Sequence, residues 1–272
     1  MIYIPHIETD LTLACQLSCI ACNHMVSLYR DQNYISHIPR ADPEQIRHDL
    51  FQLTTILHAG RWGALGGEPT LHTQLPEILE IVRESGICDQ IEVWTNGILP
   101  ARWFRFGVRE DFWEAQWDIL VVSRYEGRLS DDDVKNLTDG CNYHDKQIEI
   151  KDERTWNNFR TNLEPAPTDP ETTKRKFDGC FFRQFSRVVN NGYFYTCCCA
   201  PHMPRLLQGR PEGSDGIPVE GLTEVALQAY LTRSEPLGCC TICAGRDTAK
   251  PVKWREERDP EKWIQASKGL DR

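Results

Sequence analysis

The run C-Q-L-S-C-I-A-C spans Cys15 to Cys22 and follows directly on the alternating stretch H-I-E-T-D-L-T-L, His6 to Leu13. Alternation of apolar and polar side chains marks a half-buried strand, which would deliver Cys15 to the loop at its C-terminal end. Three thiols in a C-x3-C-x2-C spacing suit a shared metal centre. They are one short of the four thiolates that a cubane iron–sulfur cluster takes, which leaves one iron open to another ligand. They are equally one short of a structural zinc site, where His24 is the nearest fourth donor although it sits very close to Cys22. Downstream, Gly66-Gly67-Glu68-Pro69 closes another short apolar run, Arg61 to Leu65.

Short apolar runs and helical patterns alternate through the first half, the mark of a parallel α/β fold. Asp42-Pro43 opens a helix running to about Leu57, with Asp42 as N-cap and Pro43 at the first helical position. Leu75 to Glu84 has apolar residues at helical spacing and ends near Gly86. Strands are expected over Ile91–Thr95, Ile119–Ser123 and Gln147–Ile150. Short helices are expected over Asp111–Trp117 and after Ser130, whose acidic run Asp131 to Asp133 suits a helix N-terminus. Each motif that carries chemistry falls just after a strand, the rim on which (β/α) barrels place their sites. From Pro165 the texture changes: Pro165, Pro167 and Pro170 read as a linker or covering loop. Phe185 to Thr196 reads as a hairpin joined by Asn191-Gly192. Gln208 to Gly221 reads as loop, Leu222 to Leu231 as helix, and the charged tail from Lys250 as a C-terminal helix.

With 272 residues the chain is long enough for one large core or a core plus a small module. A net charge of −9 argues against nucleic acid as a partner, because backbone binding needs clustered Lys and Arg. There is no basic-then-apolar leader and no membrane-length apolar run, so a cytoplasmic setting is expected. Twelve cysteines in such a chain point to metal ligation or catalysis rather than disulfides.

The triplet and the Gly66-Gly67-Glu68-Pro69 segment, in this order, resemble the radical S-adenosylmethionine (SAM) superfamily. The resemblance implies an α/β fold, a partial (β/α)6 TIM-like barrel. It implies that Cys15, Cys19 and Cys22 hold a SAM-cleaving 4Fe-4S cluster, and that Gly66, Gly67, Glu68 and Pro69 bind the SAM amino group. Glu68 would accept from the ammonium, a charge-assisted contact. Ser123 suits the ribose, Arg124 a bidentate pairing with the SAM carboxylate, and Thr95 and Asn96 the site lining. Tyr125 and Glu126 fall in the same region, while His24 and His72 suit satisfied or solvated histidines. The position before the third cysteine, often aromatic in the superfamily, is Ala21.

The chain after Pro165 carries seven of the twelve cysteines. Cys180 precedes the hairpin, Cys197 ends it in a Gly192-x4-Cys197 arrangement, and Cys240-x2-Cys243 is a ligand pair. A hairpin brings its flanking segments together, as a four-thiolate site requires. The same four thiolates also suit zinc, which spacing does not distinguish from iron. The arrangement resembles the shortened SPASM domain called Twitch, a small β-hairpin/helix domain holding an auxiliary 4Fe-4S cluster, and its layout is similar to that of the 2-deoxy-scyllo-inosamine dehydrogenases. The expected organisation is a barrel over 1–165, an auxiliary domain over 166–249 and a tail over 250–272.

The resemblance implies an oxidoreductase using SAM and two 4Fe-4S clusters, with an electron donor such as flavodoxin or ferredoxin. Its substrate would be a polar small molecule of the sugar or aminocyclitol type. The alternative within the same chemistry is crosslinking or epimerisation of a ribosomal peptide. Against it, only about fourteen residues precede the triplet, where peptide modifiers often carry a recognition domain. Epimerisation would also need a free thiol from Cys198, Cys199 or Cys239, because Cys88 and Cys141 belong to the opposite face. A non-catalytic iron–sulfur or zinc protein is the alternative of another class.

Overall fold

The computed structural model of the chain describes residues 1–31, 39–152, 159–160, 163–245 and 251–270. Five parallel strands are laid down in chain order: β1 (Ile2–Thr12), β2 (Leu57–Gly66), β3 (Cys88–Thr95), β4 (Ile119–Arg124) and β5 (Gln147–Asp152). Crossovers between them carry α1 (Val26–Asp31), α2 (Pro43–Leu53), α3 (Leu75–Ser85), α4 (Ile98–Phe106), α5 (Glu110–Glu114) and α6 (Asp131–Tyr143). Local chemistry sets the helix ends. Asp42 accepts from the Glu44 N–H at the start of α2, and Ser130 forms a capping box with Asp133 on α6. Gly86, at φ 66°, ends α3 in the left-handed region that a side chain would strain. Helix α4 follows a turn signal rather than a cap residue, which is why the sequence reading passes over it.

The open edge of β1 is where the second half of the chain joins. A two-stranded pair of β6 (Phe159–Arg160) and a C-terminal strand stands apart. The hairpin of β7 (Val188–Asn190) and β8 (Tyr193–Tyr195) turns at Asn191 (φ 47°) and Gly192 (φ 79°). That positive pair of φ values suits the right-handed twist of the flanking strands. Strand β7 pairs parallel with β1 through Glu8 and Val188. With β9 (Ile217–Pro218) the result is one open eight-stranded sheet, in the order β5-β4-β3-β2-β1-β7-β8-β9. An isolated hairpin is marginal in water. Docking on β1 covers an edge that would otherwise expose unpaired backbone groups.

The later helices are α7 (Pro170–Asp178), α8 (Phe181–Phe185), α9 (Met203–Gln208) and α10 (Glu224–Leu231), followed by β10 (Pro251–Val252), the partner of β6, and α11 (Pro260–Ser267). One expectation is corrected here. Pro170 does not break regular structure but begins α7, because Asp169 caps it by accepting from the Thr172 N–H and a first-turn proline lacks only a donor the helix does not use. The boundary expected at residue 249 lies outside the described residues.

Two apolar cores hold these parts. The first packs β1–β5 against their helices, with Trp62, Phe112, Trp113 and Trp117 fully buried. In the second, Ile20 and Met25 of the cysteine loop pack with Val188, Tyr195 and Met203 and with Trp263 of α11. Burial of each large side chain is worth about 1.5–3 kcal/mol. The cysteine loop is therefore anchored by the C-terminal half of the chain.

Candidate active site

The rim loops after β1 and β2 are tied together by backbone bonds. Gly67 N–H donates to the Thr12 carbonyl at 2.6 Å, and Glu68 N–H donates to the Ala14 carbonyl at 2.7 Å. A Cβ on Gly66, at φ 113°, would stand 2.4 Å from the Thr12 oxygen, and one on Gly67 would stand 2.3 Å from the Ala14 oxygen. The first demand for these glycines is thus close approach to the neighbouring strand end.

Glu68 is buried and its carboxylate is well supplied with donors. Oε1 accepts from Thr70 N, Thr70 Oγ1 and Thr95 Oγ1, and Oε2 accepts from Asn96 N at 2.8 Å. Burial pushes its pKa up, while the bonds from Thr70, Thr95 and Asn96 pull it back. Thr95 accepts in turn from Gly97 N, and Asn96 Nδ2 donates to Gln16 Oε1 at 3.0 Å. The network joins three strand ends to the cysteine loop. Pro69 opens the short turn that follows and is buried.

Around that network lies a cavity of about 270 Å³. Cys15, Cys19 and Cys22 all line it, together with Gly66, Gly67, Trp94, Thr95, Asn96, Ser123 and Tyr125. The cysteine loop is arranged around sulfur. Leu17 N–H donates to Cys15 Sγ at 3.4 Å, and the N–H groups of Val26, His24 and Met25 face Cys22. Burial pushes the thiol of Cys19 up to about 12 and raises those of Cys15 and Cys22 as well. Such thiols lose their protons readily only to a metal. The donor set and the space beside it fit a cluster with one open iron and a cofactor-sized ligand.

Strand alternation separates the residues expected around SAM. Ser123 and Tyr125 face the cavity, whereas Arg124 between them does not line it. Arg124 is buried on the other side of β4, paired with Asp131 and near the Leu129 carbonyl, so its expected pairing with a carboxylate in the cavity is not supported by its position. Glu126 pairs with Lys253 at 3.4 Å instead of facing the cavity. His72 is a satisfied histidine: it bonds the Ala41 carbonyl at 3.0 Å and accepts from Gln74 N–H, and burial lowers its pKa. His24 lines the cavity and meets Asp10 at 2.8 Å.

Sequence reading missed two features. Trp94 enters the cavity wall on β3, while its ring N–H donates to Glu92 and Lys151 sits 3.5 Å over its face; its position on the strand was the available signal. The other is the C-terminal segment. Trp254 stacks on Tyr125, Cys19 and Glu256 form an antiparallel bridge, and Trp263 donates to the Cys19 carbonyl at 2.8 Å. No local pattern announces those contacts.

The other cysteines also segregate. Cys180 and Cys243 have raised thiol pKa values, from burial first and then from Cys197 and Cys240 nearby. Cys197 is lowered by bonds from Cys198 and Cys199, and Cys240 by a bond from Cys239. Cys198, Cys199 and Cys239 are buried in the second core, and none lines the cavity. Cys88 begins β3 at the end of the strand away from the rim, and Cys141 lies within α6.

No family model matches the chain, and no curated protein matches it. Solved structures do. The crystal structure of BtrN in complex with AdoMet and 2-DOIA is 13% identical, covers 94% of this chain and 97% of its own, and gives a TM-score of 0.52. Native anSMEcpe with bound AdoMet is 13% identical, with 96% of each chain covered and a TM-score of 0.51. The chain shares the fold of these two structures. The sheet is an open partial barrel, and no described helix is long and apolar enough to cross a membrane.

Proposed function

We propose that the chain is a radical SAM oxidoreductase that oxidises a polar small molecule. One observation carries the reading: three cysteines share a cavity of about 270 Å³ with the Gly66-Gly67 turn, the Thr95-Asn96 turn and Ser123. When bound, a 4Fe-4S cluster and SAM supply a 5′-deoxyadenosyl radical that removes a hydrogen atom from the substrate. Cys15, Cys19 and Cys22 would hold the cluster. The backbone of Gly66 and Gly67 forms the cavity wall beside it, and Glu68 fixes that wall through Thr70, Thr95 and Asn96. Glu68 Oε2 accepts a single bond. Glu68 stands buried just behind the cavity lining, and its Oε2 keeps room for a second donor, as an ammonium group needs. Ser123 supplies the hydroxyl for the ribose.

Cys180, Cys197, Cys240 and Cys243 would hold a second 4Fe-4S cluster, the acceptor for the substrate electron. Among the described residues, Cys197, Cys198 and Cys199 bring three ligand atoms within 4.8 Å of one another, whereas neither Cys15, Cys19 and Cys22 nor three of these four do. The Gly192 spacing and the C-x2-C register support Cys197 and Cys240 as the ligands. The burial of the Cys198, Cys199 and Cys239 thiols away from the cavity supports oxidation over epimerisation. A cytoplasmic setting, a donor such as flavodoxin or ferredoxin, and the division into barrel, auxiliary domain and tail belong to the same proposal.

Protein reconstituted without oxygen should carry about eight irons, and about four once Cys15, Cys19 and Cys22 are all changed to Ala. With SAM and a strong reductant, only the native protein should release 5′-deoxyadenosine and methionine. Iron-loaded protein that leaves SAM intact would sink the enzyme reading. About four irons beside one zinc would remove the electron-acceptor role.

A further inference from the structure

Asp10, His24 and His202 meet behind the cavity wall, brought together from β1, the cysteine loop and the segment just before α9. Their ligand atoms all lie within 4.8 Å of one another. Asp10 Oδ2 is 2.9 Å from His202 Nε2, and Asp10 Oδ1 is 2.8 Å from His24 Nδ1. The second contact is an ion pair, and neither Asp10 Oδ1 nor His24 Nδ1 has a further hydrogen-bond partner among the described residues. Burying these groups with no further partners carries a desolvation cost. A shared cation removes it. At tetrahedral angles two donors each ~2.1 Å from one ion stand about 3.4 Å apart, so an ion would open the Asp10–His24 contact slightly.

We propose that Asp10, His24 and His202 bind a divalent first-row transition metal ion of the zinc class. Two imidazoles and one carboxylate are a borderline N/O set suited to such ions. The groups behind the ligands fit as well. His202 places its other ring nitrogen 3.0 Å from the Tyr29 hydroxyl. Asn190 Nδ2 donates to Asp10 Oδ2 at 2.7 Å, while Asp10 N–H donates to Asn190 Oδ1. Partners of this kind fix the tautomer and orientation of metal ligands. Space lies on both sides: His24 lines the large cavity, and Asp10, Tyr29 and His202 line a smaller one of about 40 Å³. Three protein ligands leave a position for water or a substrate hydroxyl. The ion would pin the cysteine loop and the post-hairpin segment to β1. None of this depends on which cofactor the cysteines carry.

The test uses protein reconstituted without oxygen, given one equivalent of zinc sulfate and desalted, with zinc and iron counted per chain. Native protein should retain about one zinc, and His202→Gln should retain at most a tenth of that with its iron unchanged. X-ray absorption at the zinc edge of the native protein should show a nitrogen and oxygen shell at ~2.0–2.2 Å and no sulfur shell at ~2.3 Å. The absorption result decides alone if His202→Gln does not fold. No zinc in native protein, zinc fully retained by a folded His202→Gln, or a sulfur shell would each overturn the proposal and leave two Asp–His pairs without a metal. Loss of iron from the cysteine triplet with this zinc retained would instead count against the radical SAM reading alone.

Discussion

The ring of Tyr125, just past the end of β4, stacks on the ring of Trp254 in the C-terminal segment, with centroids 5.1 Å apart and planes 18° from parallel. Tyr125 belongs to the cavity wall, and Trp254 is two residues from Glu256, the bridge partner of Cys19. One stack therefore connects the end of the chain with both the cavity and the cysteine loop. Trp254→Ala should cost about 2 kcal/mol in denaturant unfolding and lower iron retention at the triplet. Trp254→Phe, which keeps a ring, should restore most of both.

Glu68 is the junction of three rim loops. Glu68→Ala strands the donors of Thr70, Thr95 and Asn96 and should cost about 3 kcal/mol. Glu68→Gln replaces one acceptor oxygen by a donor and should cost less in stability. Both should weaken SAM binding tenfold or more in equilibrium dialysis, and tight binding by a folded Glu68→Ala would count against the role given to this loop.

Gly67→Ala puts a methyl group 2.3 Å from the Ala14 carbonyl oxygen. The methyl group is fixed directly to the backbone and meets backbone, so relief requires the β1 and β2 loops to part. A loss of about 2–4 kcal/mol is expected, measured as a fall in the urea midpoint with unchanged slope.

The cysteine assignment after the hairpin is separable by iron content. Cys240→Ala should remove about four irons per chain, and Cys239→Ala should remove none. The reverse pattern would move the ligand register by one residue.

Stability should depend on pH through His6 and Glu92, whose side chains lie 3.2 Å apart inside the barrel. Burial pulls the pKa of His6 down, but Glu8 and Glu92 outweigh it and hold it at about 9. A raised folded value means that the contribution is complete below the unfolded value of ~6.5 and is lost as pH rises through 9. Glu92 is opposed by burial but held down by His6, Trp94 and Arg61 to about 2. Its contribution is present above ~4.5 and is lost as pH falls through 2. Unfolding free energy should fall by on the order of 2 kcal/mol between pH 6.5 and 9.5, and His6→Gln should flatten that slope.

The amino-acid sequence by itself determined whatever is local. The strand that delivers Cys15, the Asp42 and Ser130 caps, the Gly66-Gly67 turn and the Asn191-Gly192 hairpin each depend on residues a few positions apart. Turns, caps and alternation are short-range energies, so they are legible without a fold. Arg124 shows where that reach ends: one residue of register decides which face of a strand a side chain takes, and here the sheet turned Ser123 toward the cavity and Arg124 toward Asp131. Only the tertiary structure decided that Glu68 bonds Asn96, that the hairpin extends the sheet at β1, and that Trp254 and Trp263 close over the cysteine loop. It alone brought His202 to Asp10 across 192 positions. Those contacts are gained only when the two apolar cores form, because burial of Ile20, Met25, Val188 and Trp263 in one cluster offsets the entropy of closing such long loops.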